Sequence, residues 1–321
     1  MNFEQAVLAE FPEVTDTITR QQALFVKEKY NLKFPHHVIN PNNNVGRGIF
    51  KFSAALPLES VQPQKPEETD AELDQRITET YATLDKLVEA VASDANINSL
   101  ILSGAPGLGK SYEVNKVLNK LNGGEFGFVF HRGYLRATHL YRLLWENRLP
   151  GQTVVLDDVD TIFSDETSLN MLKAALELKD CRTIGWGSEK EFIDQDGEVI
   201  PRYFQYQGNV IFLTNLAFSD LSAGSNRYAA HLNALDSRSL VLDLKIKTKR
   251  EFMAKIKQTV AAGMLREKGL YDDESAAILN FMENNIDRLK ELSLRMCEKL
   301  AALYLMDPKS WEMMARTVCL K

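Results

Sequence analysis

The chain has 321 residues, with 38 lysines and arginines against 44 aspartates and glutamates, a formal net charge of −6. That length holds two or three compact units, and a hydrophobic content of 45% is ordinary for a globular protein. No apolar run reaches the ~18 residues of a membrane span, and the acidic balance leaves no global basic footprint for nucleic acid, although a local basic pore on an acidic ring would escape that test.

The opening MNFEQAVLAEF carries acids where a secretion leader carries a basic region, so no signal peptide is expected. Cys181, Cys297 and Cys319 are too far apart for a metal-like spacing and are read as incidental thiols in a reducing cytoplasm. None of His36, His37, His131, His139 and His231 has HExxH-type spacing, so all are read as structural or surface residues.

Residues 1–52 read as a small N-terminal helical segment. Phe3–Phe11 and Ile18–Tyr30 are the expected helices, broken off by Pro35 and the run Asn40–Asn44. Its apolar residues are few, so packing against the core or a neighbouring subunit is expected. Residues 53–68, with Pro57, Pro63 and Pro66, read as a linker. Thr69 and Glu72 then make a capping box for a helix that carries Leu73, Ile77, Tyr81, Leu84, Val88 and Val91 on one face. Strands at Leu100, Phe128, Val154, Ile211 and Val241 alternate with helical patterns, which predicts a parallel five-stranded sheet covered by helices on both faces over residues 69–245. Past Lys245 the pattern is helical throughout, beginning with Phe252, Ile256, Val260 and Met264, so 246–321 is expected to be a small all-helical domain.

Ser99–Ser103 reads as a buried strand and Lys110–Leu121 as a helix, and between them lies GAPGLGKS. This fits the phosphate-cradling pattern G-x-x-x-x-G-K-[ST]. Its residues, Gly104, Ala105, Pro106, Gly107, Leu108, Gly109, Lys110 and Ser111, together with Tyr112, are the expected nucleotide contacts. Glycines let successive N–H groups turn inward as an anion nest, and the following helix N-terminus adds a favourable dipole. Lys110 is expected on the β- and γ-phosphates of ATP and the Ser111 hydroxyl on Mg²⁺. The strand Thr153–Leu156 runs into Asp157 and Asp158. A carboxylate at such a strand end suits Mg²⁺, and a second one beside it suits activation of water. A solvated acidic turn is the plainer alternative.

On these motifs the chain resembles the AAA+ ATPases from about Thr69 to its end. The resemblance implies a P-loop core with a helical lid, ATP and Mg²⁺ as ligands, and a homo-oligomer, hexameric or a partial ring. Asp157 matches the Mg²⁺-binding acid, and Asp158 stands where the family usually has Glu, one methylene longer. NVIFLTN (Asn209–Asn215) resembles the strand that ends in a polar sensor, here Asn215. ALDSRS (Ala234–Ser239) resembles the Ser-Arg element of clamp-loader-like members and puts Arg238 in the arginine-finger position, with an intrachain salt bridge to Asp236 or Asp243 as the alternative. ELSLR (Glu291–Arg295) resembles the lid sensor helix and points to Arg295. The general texture is similar to that of AAA+ ATPases of tailed bacteriophages.

Two segments are candidates for substrate contact. HRGYLR (His131–Arg136) lies where ring-forming relatives face a pore, so Tyr134 and Leu135 are the expected grip, aided by Arg132 or Arg136; alternatively Tyr134 packs on the helix Thr138–Arg148. Arg182–Trp186 and Val199–Tyr206, joined through the turn signal DQDG, read as a hairpin that either carries Lys190 or Arg202 into the pore or packs its aromatics on the sheet. Three uses of the engine follow: remodelling of a protein partner, favoured by the acidic balance and Tyr134; loading or recombination work on DNA; or a nucleotide-gated scaffold that barely hydrolyses.

Overall fold

A computed structural model describes residues 3–52, 68–93, 97–121, 127–179, 181–187, 191–194, 196–218, 220 and 227–321. The chain divides into two compact units, Met1–Glu68 and Thr69–Lys321. The prolines read as a linker lie outside the described residues.

In the first unit, α1 (Phe3–Glu10) and α2 (Arg20–Lys29) accompany a three-stranded antiparallel sheet of β1 (Thr17–Thr19), β2 (Asn44–Gly46) and β3 (Ile49–Lys51) in the order β1-β3-β2. The second helix begins later than its pattern suggests because Thr17-Ile18-Thr19 is β-branched and Ile18 pairs with Phe50. Thr19 then closes a capping box with Gln22. Ala6, Val7, Ile18, Ala23 and Val26 are fully buried or nearly so, giving this unit an apolar core of its own.

The second unit opens with α3 (Asp70–Ser93), started by the reciprocal Thr69–Glu72 hydrogen bonds of 2.9 and 3.3 Å. Next come β4 (Ser99–Ser103), α4 (Lys110–Leu121), β5 (Phe128–Arg132), α5 (Ala137–Glu146), β6 (Thr153–Asp157) and α6 (Glu166–Ala175). An excursion of four short strands follows: β7 (Arg182–Gly185), β8 (Phe192–Ile193), β9 (Val199–Ile200) and β10 (Tyr203–Tyr206). The chain returns as β11 (Asn209–Thr214), α7 (Ala229–Asp236) and β12 (Leu240–Asp243).

Strands β12-β4-β11-β6-β5 form one parallel sheet, as the five apolar runs predict. Alternate residues feed opposite faces, the period of two that a doubly covered sheet requires. Leu100, Leu102, Val155, Ile211 and Leu213 pack with α3 and α4. Ile101, Val154, Leu156, Val210 and Phe212 pack with α5, α6 and α7. A third core joins α8 (Lys249–Ala261), α9 (Asp272–Asn284), α10 (Leu294–Met306) and α11 (Trp311–Val318) as the lid.

The excursion is a two-tiered hairpin in which β7 pairs with β10 and β8 with β9. Pro201 divides what reads in sequence as one strand, since it has no N–H for a ladder. Buried Arg182 closes the base by donating to the carbonyls of Ala175 (2.9 Å), Tyr206 (3.2 Å) and Gly208 (2.7 Å). Trp186, Phe192 and Phe204 gather around Tyr141 of α5 at ring separations of 5.2–5.9 Å. Arg202 is exposed, and Lys190 lies outside the described residues.

Candidate nucleotide site

Parallel order places the ends of β4, β11, β6 and β5 along one edge of the sheet, so residues distant in sequence meet there. The loop after β4 turns through positive φ at Gly107 (78°) and Gly109 (80°), which glycine adopts without a Cβ clash. Both glycines also admit the lid. A Cβ on Gly107 would clash with Ser293 Cβ, and one on Gly109 would fall 2.9 Å from Leu294 Cδ1. The Leu294 N–H donates to the Gly107 carbonyl at 3.0 Å, so α10 docks by its N-terminus on the loop.

Lys110 is buried at the start of α4. Its Nζ donates to the carbonyls of Gly104 (2.7 Å) and Ala105 (3.0 Å) and to Asn215 Oδ1 (2.8 Å). Burial pushes its ammonium below the usual lysine range, against the pull of Asp158 and Asp157. Asn215, just past β11, donates its Nδ2 to Asp158 Oδ1 at 2.7 Å. Asp158 is exposed and holds a left-handed backbone, φ 55°, with its N–H on the Leu213 carbonyl at 3.1 Å. Among non-glycine residues Asp is one that tolerates this conformation.

Ser111 Oγ donates to Asp157 Oδ1 at 2.9 Å, and the other carboxylate oxygen accepts from Arg132 Nε at 2.8 Å. Two hard oxygen donors converging beside a phosphate loop fit Mg²⁺, which takes one or two protein ligands and completes its shell with phosphate and water. Ser111 and Asp157 are therefore the residues that would hold it. The Arg132 contact escapes sequence reading because only the β5–β6 register, Arg132 opposite Asp157, brings the two together. Asp160 also joins this edge, accepting from Thr214 Oγ1 at 2.6 Å, and burial pushes its carboxyl up.

A cavity of about 460 Å³ is lined by Gly107–Tyr112, Asp157, Asp158, Asn215 and the lid residues Leu294 and Arg295. Gly104, Ala105 and Pro106 line a separate cavity of about 420 Å³, which Asn215 also lines. Arg238 is not among the lining residues. It bonds within the chain, to Glu177 Oε2 through Nη2 at 3.2 Å and to the Ala234 carbonyl at 2.8 Å, rather than to Asp236 or Asp243. Tyr134 is 70% exposed, with the Arg136 guanidinium 5.9 Å from its ring centroid. Leu135 must be corrected as a surface contact. It is 4% exposed and belongs to the core under α5, where an apolar side chain gains more from burial than from solvent.

No protein-family model matches the chain. It is 32% identical over 273 residues to an uncharacterized 36.7 kDa protein from the nrdC–mobD intergenic region of Enterobacteria phage T4, covering 84% of this chain and 82% of that one. Solved structures with a similar fold include the Thermotoga maritima RuvB Holliday junction branch migration motor, at 14% identity, 75% of this chain, 68% of that chain and a TM-score of 0.44. A DNA replication initiation factor aligns at 13% identity over 78% of this chain and 68% of that one, with a TM-score of 0.41.

Proposed function

We propose that this chain, which belongs to one family with the 36.7 kDa phage T4 protein and carries a phosphate-loop motif on a parallel five-stranded sheet, is an AAA+ ATPase that binds Mg·ATP in the 460 Å³ cavity and uses hydrolysis to work on a macromolecular partner. The observation that carries this is the run of contacts Lys110–Asn215–Asp158, at 2.8 and 2.7 Å, beside the Ser111–Asp157 pair.

Lys110 trades its loop carbonyls for phosphate oxygens, a charge-assisted contact worth about 1.5–3 kcal/mol. Bound Mg²⁺ would neutralise charge on the phosphates. Asp158 accepts a proton from the attacking water, and Asn215 fixes the direction of that carboxylate. Arg295 reaches the nucleotide from the lid. Arg238 leaves Glu177 to serve a neighbouring subunit's site in a ring; such fingers contribute about 10³–10⁵ in rate.

Partner contact falls to Tyr134. An exposed aromatic with an arginine over its face offers stacking and charge, which suits a single-stranded polyanion. The net charge of −6 favours the second reading, a protein substrate. An Asp158→Asn trap incubated with ATP and cell extract separates them. Nuclease-sensitive material on the trap supports nucleic acid, protease-sensitive material supports protein, and ATP-independent recovery of both contradicts a motor.

A further inference from the structure

Behind the phosphate loop lies a buried set of polar groups that the proposed reaction leaves unused. Tyr81, on α3, is 7% exposed, and its hydroxyl donates to the Leu108 carbonyl at 2.8 Å. Lys255, on the lid helix α8, is 5% exposed. Its ammonium lies 3.2 Å from the Tyr81 ring centroid and 3.6 Å from Glu113 Oε1 on α4. Glu113 also pairs with Lys116 at 3.2 Å, and Asp85 Oδ1 sits nearby, buried and without a hydrogen-bond partner. Elsewhere α3 and α8 are joined by pairs nearer the surface, Arg250–Asp70 and Arg76–Glu251, each at 2.6 Å. Lys255 alone of these reaches both α4 and, through Tyr81, the loop.

The bond to Leu108 fixes a particular peptide. In a trans peptide the carbonyl and N–H point in opposite directions. Holding the Leu108 carbonyl toward α3 therefore turns the Gly109 N–H away from α3, in the loop segment that lines the nucleotide cavity. A cation over the face of a phenol both pins the ring and strengthens its hydroxyl as a donor. Lys255 can do this only while α8 is seated.

We infer that Tyr81 and Lys255 are positioning residues that set a phosphate-binding amide of the loop according to where the lid sits. A closed lid thereby raises affinity for phosphate, and bound phosphate by linkage favours the closed lid. The inference rests on the Mg·ATP reading and concerns phosphate, not the base or ribose.

Affinities for Mg·ATP and for adenosine, measured by calorimetry on the full chain, test it. Tyr81→Phe keeps the ring and removes only the hydroxyl. It should weaken ATP binding about 3- to 10-fold, the range of one hydrogen bond, and leave adenosine within about twofold. Lys255→Met should shift the ratio the same way, with a lower melting temperature near neutral pH because Glu113 loses one of its two cationic partners. The double variant should be no worse than either single one, because both act through one contact. Equal losses for ATP and adenosine, or an unchanged ratio in both single variants, overturn the relay while wild-type ATP binding stands. Multiplying effects in the double variant overturn it too. Absence of ATP binding by the wild type overturns the nucleotide reading and the relay with it.

Discussion

At the scale of single residues the most telling position is Asp158. Its left-handed backbone, φ 55°, supports a short acid that bonds Asn215. Glu in that conformation costs about 1 kcal/mol and carries its carboxylate past the 2.7 Å contact. Asp158→Glu should therefore lower both the melting temperature, by a few degrees, and the turnover number; faster turnover would mean that Asp is a brake instead. Tyr134 and Leu135 are adjacent but opposite in burial, 70% and 4% exposed. Leu135→Ala should destabilise by about 2–5 kcal/mol, and Tyr134→Ala by less than about 0.5 kcal/mol, in parallel denaturant titrations. Similar losses at both sites would contradict that division. The motif residues were legible in sequence because phosphate chemistry dictates residue type and spacing. Leu135 was misread because a loop pattern says nothing about which of two neighbouring side chains turns inward.

At the scale of elements, the lid and the phosphate loop meet through glycine. Gly107→Ala places a methyl group against Ser293 and strains a φ of 78°. It should loosen the lid and weaken ATP binding, seen as faster amide exchange at the start of α10; unchanged exchange would show that the loop absorbs the methyl. The burial of Lys255 should make the stability of the lid depend on pH. Burial outweighs the attraction of Glu113 and brings its ammonium down to about 8, with Tyr81 and Asp85 facing it from α3 and Lys116 from α4. The folded value is thus depressed, so the stability linked to this group is full above about 10.5, falls as pH drops through 8, and is worth roughly 3 kcal/mol across that window. Melting temperatures of Lys255→Met should accordingly rise relative to wild type as pH falls from 10 to 7. A constant difference would show that Lys255 titrates normally. Neither residue announces this in sequence. Tyr81 fits the apolar stripe of α3, and its hydroxyl acquires a role only when the loop packs against it. The hairpin aromatics were readable as surface to bury, but the break at Pro201 and the β-branched run Thr17–Thr19 that delays α2 needed attention to residues that end a regular pattern.

At the scale of the whole molecule, five apolar strands alternating with amphipathic helices predict the sheet, and the sheet brings β4, β6 and β11 to one edge. The role proposed for Arg238 belongs to the level of assembly. If it serves a neighbouring site, Arg238→Ala should bind ATP normally and hydrolyse it poorly, and mixing it with Lys110→Ala should restore part of the activity, since mixed rings join an intact pocket to an intact finger. Mixed assemblies without rescue would leave Arg238 as the partner of Glu177 alone. The central claim is that the Asp158–Asn215–Lys110 constellation binds ATP and cleaves it. Its most direct test is steady-state phosphate release, measured alongside equilibrium ATP affinity, in wild type, Lys110→Ala and Asp158→Asn. Turnover by wild type, lost binding in Lys110→Ala, and retained binding with turnover reduced at least tenfold in Asp158→Asn is the expected result. Equal affinity and equal phosphate release in all three folded proteins would contradict it.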